Sequence, residues 1–187
     1  MVLQRLRDET RPLHDEVERD LEQSGAYTSM EQYQVLLARF FGFFKEWEPQ
    51  VGEILADETF FGPRRKLHLL QKDLHFFGYG PATIAALPRC PDLPPVRDLA
   101  GAMGSLYVLE GSTLGGQVIS HRLERLFGLR DGHGYAFFRS YGRAANPMWR
   151  RFGERLAAVS SPLTEETSIR SAQRTFVRLH RWLCDGA

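Results

Sequence analysis

The sequence predicts an all-α protein, a single compact multi-helical domain over residues 1–187. Apolar residues recur at helical spacing through most of the chain, and no alternating strand pattern of useful length occurs. No repeat, low-complexity run or long linker divides it, and 43% hydrophobic residues suffice for one substantial core.

Charge and cysteine content narrow the function classes. With 24 basic and 23 acidic residues, the net charge of +1 gives no field that would steer the chain to nucleic acid or a membrane surface. No apolar run approaches the roughly 20 residues of a membrane span, and charges from Arg5 onward argue against a signal peptide. Cys90 and Cys184 match no metal or redox spacing and read as free thiols of a reducing, cytoplasmic setting.

The first helix covers residues 2–23, with Leu3, Leu6, Leu13, Val17 and Leu21 as its apolar stripe. Pro12 removes a hydrogen bond, so either a kink sits there or the helix starts near Thr10. A second row holds Arg7, Arg11, His14 and Glu18 at spacings of four, three and four. As a solvated face it pairs His14 with Glu18 by the i,i+4 rule. As a site it offers His14 to a metal while Glu18 sets the tautomer through the other ring nitrogen, with Arg7 and Arg11 facing anionic groups.

Ser29 starts a second helix with a capping-box pattern to Gln32, and its aromatic face (Phe40, Phe41, Phe44, Trp47) reads first as core. Pro63 opens a third, ending at Gly78, on which His68 and His75 read as ordinary histidines. Residues 80–95 hold five prolines and read as a connection with one helical turn. A glycine-bearing helix follows, from Gly101 to Arg122 and on toward Gly128. It carries Gly101, Gly104, Gly111, Gly115 and Gly116, and each costs about 1 kcal/mol relative to alanine. Close packing or a bend accounts for such a load; so does a flat ligand against bare backbone, for which Gly111 and Gly115 share one face. Residues 129–145 read as an ordered loop, Pro147 opens another helix, and the last runs from about Thr164 to Cys184.

Several chemistries are absent from the pattern. There is no phosphate-cradling glycine loop, dinucleotide fingerprint or nucleophile elbow. No Glu-x-x-His pair suggests a di-iron bundle.

Two segments together, LRDETRPLHDEVE and YVLEGSTLGGQVISHRL, resemble heme oxygenases, in particular the short bacterial biliverdin-producing type. The resemblance covers most of the chain and implies heme held between a proximal and a distal helix. It implies His14 as the axial iron ligand and Glu18 as partner of its other ring nitrogen. Arg7 and Arg11 match cations facing the heme propionates, and Arg150 matches a further one more loosely. Gly111 and Gly115 match distal glycines whose backbone touches heme and bound oxygen, with Gly116 beside them. Ser112 departs from the animal enzymes, which carry an aspartate there that orders water.

The implied reaction converts heme, both cofactor and substrate, to biliverdin, carbon monoxide and ferrous iron with O2. Electrons come from an external donor (a ferredoxin, a flavodoxin or a reductase), and a bilin-binding photoreceptor is one acceptor for the product. A heme binder or sensor that does not degrade heme is the alternative, which the neutral Ser112 leaves open. Another is a same-fold protein with other chemistry, such as the thiamine-degrading or cofactor-maturing relatives.

Overall fold

The computed structural model describes residues 2–185. Helix α1 spans Val2–Gln23 without a break, Pro12 included. Proline leaves the Asp8 carbonyl without its amide, but Asp8 and Pro12 are both exposed, so water can take that bond. On the opposite face Leu6 and Thr10 are buried, and the Thr10 hydroxyl donates to the Leu6 carbonyl (2.6 Å).

Helix α2, Met30–Leu55, begins where Ser29 accepts the Gln32 amide and passes through Pro49. The helix expected from Pro63 is broken up. Short α3 (Glu58–Phe61) and a 3₁₀ turn (Gly62–Arg64) precede α4, Leu67–Phe76. The late start of α4 has a tertiary cause: the buried Glu48 carboxylate of α2 accepts the Lys66 and Leu67 amides, the latter at 2.8 Å. Helix α5, Pro81–Ala85, is the single turn expected in the proline-rich connection.

Helix α6, Leu99–Phe127, is capped by Asp98 at one end and stopped by Gly128 in the left-handed region (φ 67°) at the other. The segment 129–145 is not loop throughout, since α7 (Ala136–Arg139) and a 3₁₀ turn (Gly142–Ala144) lie within it. Helix α8 spans Ala145–Val159 and α9 Pro162–His180, followed by a π-helical turn to Asp185. Among the described residues there is no strand, and no helix is long and apolar enough to cross a membrane.

The core forms where α6 lies on α9, with α2 against α4 and α6, and α1 against α8 and α9. Small residues permit the α6–α9 approach. A Cβ on Gly104 would stand 2.0 Å from the Ser168 carbonyl oxygen. The Ser168 and Ser171 hydroxyls donate to the Ala100 and Gly101 carbonyls (2.9 and 2.7 Å).

Asp73 of α4 pins α7, its two carboxylate oxygens accepting the Ala136 and Phe137 amides (2.7 and 2.8 Å). Burial pushes its carboxyl up to about 6, against the pull of those two donors. A carboxyl raised in the fold contributes stability at low pH that is lost as pH rises through about 6. Asp73→Asn turns an NH2 group toward one amide and should cost about 1–3 kcal/mol near pH 4. That deficit should shrink as pH rises to 7. Urea unfolding of both proteins across pH 4–7 checks this, and a deficit that grows with pH contradicts it.

Candidate functional site

A cleft opens between α1 and α6. His14 and Glu18 of α1 line one wall, and Gly111, Ser112, Gly115 and Gly116 of α6 line the other. Phe40 and Phe44 of α2, Phe137 and Phe138 of α7, and Phe176 and Leu179 of α9 close it with apolar surface. Its empty volume is about 920 Å³, solvent at the mouth included. The aromatic face of α2, read from sequence as core, is core and also gives the cleft a wall through Phe40 and Phe44.

The proximal wall follows from i,i+4 spacing. The His14 ring stands edge-on to Phe176 (centroids 6.0 Å, 82°), which steadies it from α9. Its Nε2 is 3.6 Å from Glu18 Oε1 and its Nδ1 3.7 Å from Asp15 Oδ1, both beyond hydrogen-bond length. The side chain is 48% exposed toward the cleft and solvent, so a ring nitrogen is accessible to a ligand. Among the described residues no other histidine lines the cleft, and three have partners of their own: His75 faces the Tyr79 carbonyl, His121 pairs with Glu124 and His180 with Asp20.

The opposite wall separates the glycines by role. A Cβ on Gly116 would come within 2.2 Å of the Phe138 carbonyl oxygen, so Gly116 is required for packing against α7. A Cβ on Gly115 would meet nothing within 4 Å, and one on Gly111 only the Trp149 ring at 3.6 Å. Nothing in the fold requires glycine at those two positions. Both lie on the cleft, where their bare backbone leaves room for a planar guest. The Ser112 hydroxyl donates to the Leu109 carbonyl of its own helix (2.8 Å).

Three basic residues singled out by sequence do not line the cleft. Arg7 and Arg11 are exposed on α1, with Arg11 Nε 3.7 Å from Asp15, and Arg150 is exposed on α8, 4.0 Å from Glu154. The cation in the lining is instead Lys66, 3% exposed at the start of α4. Behind it, Glu110 of α6 is buried with Arg64 (Nε–Oε1 3.2 Å, out of hydrogen-bond alignment) and accepts the Tyr141 hydroxyl (2.8 Å). Burial raises the Glu110 carboxyl, with Arg64 opposing. Sequence pattern alone gives none of these four residues a role in a site. The signal available was a lone glutamate in an apolar stretch directly before Gly111.

An apolar slot with one accessible imidazole on one wall and open helix backbone on the other fits a flat, apolar, iron-centred ring. Comparison with known proteins agrees. The family model described as heme oxygenase matches residues 1–185. A heme oxygenase of Xanthomonas campestris pv. campestris is 34% identical over 122 residues, 64% of this chain and 68% of that protein. The fold is similar to that of the Neisseria meningitidis heme oxygenase solved with NO and CO (TM-score 0.76, 21% identity, 99% and 92% of the two chains). It is equally similar to that of Leptospira interrogans heme oxygenase (TM-score 0.76, 16% identity, 98% of each chain).

Proposed function

The chain belongs to the heme oxygenase family, and from that premise we propose which of its residues carry the reaction. It is an O2-dependent oxidoreductase that cleaves heme to biliverdin, carbon monoxide and ferrous iron with electrons from an external donor. A heme binder that does not degrade heme is the less favoured reading. When bound, heme supplies both the iron at which O2 is reduced and the ring that is opened.

His14, with an accessible ring nitrogen, would hold the iron when heme is bound. Glu18, one turn on, accepts the N–H of the other nitrogen, which holds the tautomer and makes the imidazole a stronger donor. Gly111 and Gly115, on the wall across from His14, would let the α6 backbone approach a bound ring and exclude bulk water there. Gly116 keeps α6 seated on α7 so that this wall stays in place. Arg7 and Arg11, exposed on α1 seven and three residues before His14 and outside the cleft lining, are the cations offered to heme carboxylates that project from the mouth, with Arg150, exposed on α8, as a further one. We place the protein in the cytoplasm, with a ferredoxin, flavodoxin or reductase as its donor. The observation that carries the assignment is one cleft lined by His14 on α1 and by the glycine backbone of Gly111 and Gly115 on α6, with open space over Gly115. The test is titration of pure protein with hemin, then reductant and oxygen. A 1:1 complex that yields biliverdin is expected, and absence of heme binding would overturn the assignment.

Because the Ser112 hydroxyl is spent on its own helix, it is not the proton source. Ser112→Ala should retain most single-turnover biliverdin formation, well short of the 10²–10⁴-fold loss roughly expected on removing a positioned acid or base. Near-complete loss with heme affinity unchanged would refute this.

A further inference from the structure

We propose that Lys66 is the group that donates hydrogen bonds and a proton to the distal side of the cleft, held there by the half-buried Tyr141 and the buried Arg64–Glu110 pair. The inference rests on heme occupying the cleft as described above. A distal wall of glycine backbone and a self-bonded serine has no proton to give. Lys66 lines the same cleft, is 3% exposed, and faces the Tyr141 ring (Nζ to centroid 3.3 Å) rather than a hydrogen-bond acceptor among the described residues. Its N–H donors not turned into that ring are therefore available to water or ligand in the cleft.

The surrounding charges hold that ammonium in place. From α2, Glu48 accepts the Lys66 backbone amide. From α6, Glu110 attracts the ammonium, while Arg64 on the preceding 3₁₀ turn opposes it. Tyr141 donates to Glu110 and presents its ring to Lys66, so one residue links the carboxylate and the cation. Arg65 pairs with Glu58, and His68, whose affinity for a proton is lowered first by burial and then by Lys66, is the second residue of α4. Burial brings the ammonium down to about 8, against the pull of Glu110 and Glu48. A lysine tuned this way can release a proton near neutral pH and regain one from water at the cleft mouth. In that step an Nζ–H bond breaks, the proton passes to a cleft water, and the neutral amine is reprotonated from solvent.

The chain has three lysines, Lys45, Lys66 and Lys72, so ¹³Cε-lysine NMR of the heme-free protein can follow each titration separately. One signal should titrate near 8 and vanish in Lys66→Met, and in Tyr141→Phe its midpoint should move. The second readout is the pH dependence of the absorption spectrum of the ferric heme complex. Its midpoint should shift in Lys66→Met while Lys72→Met behaves as wild type, and single-turnover biliverdin formation should fall at least tenfold with heme affinity kept. Three lysines titrating together at the ordinary value, or a Lys66→Met complex with wild-type spectrum, pH midpoint and conversion, would overturn the assignment. Wild-type protein that fails to bind heme would instead sink the reading of the cleft itself. If Lys66→Met fails to fold, the Tyr141→Phe titration decides, and an unmoved lysine midpoint there counts against the proposal.

Discussion

His14→Ala protein reconstituted with heme is expected to lose its axial nitrogen ligand and nearly all biliverdin formation. The side chain is half exposed and takes no hydrogen bond within the normal length, so its removal should cost the apoprotein little stability. The damage should be confined to the heme complex. Resonance Raman and electron paramagnetic resonance should report loss of the imidazole ligand, and added imidazole should restore part of the ligation by filling the space left. Glu18→Gln should weaken rather than abolish the site, by about 10–100-fold, as expected for an outer partner of a ligand. Unchanged ligand signals in His14→Ala would overturn the assignment and direct attention to another residue.

Gly115→Leu should separate folding from function. A Cβ at Gly115 meets nothing within 4 Å in the protein, and leucine forms helix better than glycine by somewhat under 1 kcal/mol. The apoprotein should therefore be as stable as wild type or slightly more so. Heme should be excluded or displaced, because the new side chain would fill the cleft face on which we propose the ring rests. Gly116→Ala should do the reverse. Its methyl would run into the Phe138 carbonyl at 2.2 Å, a backbone atom that cannot swing aside, at a cost of about 1–3 kcal/mol of stability. That corresponds to a fall of several degrees in melting temperature for a chain of this size. Thermal unfolding of the apoproteins, set beside hemin titration and single-turnover conversion, resolves the two effects. A fully active Gly115→Leu, or a Gly116→Ala that melts with wild type, would break the division of roles between adjacent glycines.

The features legible in the sequence are those whose cause lies within a turn or two along the chain. Ser29 with Gln32, and Gly128 after a long apolar run, mark helix ends through local backbone bonds. His14 with Glu18, and Gly111 with Gly115, are one helical turn apart, so periodicity alone puts each pair on one face. All-α architecture followed from the same periodicity, and the heme oxygenase resemblance rested on those two motifs.

What the sequence could not supply were the partners brought from far along the chain. Helix α4 starts at Leu67 rather than Pro63 because Glu48, 19 residues earlier, takes its first amides. The α7 turn inside the expected loop forms because Asp73, 63 residues back, accepts its leading amide. Adjacent glycines look alike in sequence, yet Gly116 abuts a carbonyl of α7 while Gly115 opens on empty space. Arg7, Arg11 and Arg150 suited the cleft by charge, but the lining cation is Lys66, set by Tyr141 75 residues later and by Glu110. Helical periodicity determined which faces are apolar and which residues share a turn. Only tertiary packing decided which polar groups lost their water, and therefore which of them had to find a distant partner or remain available in the cleft.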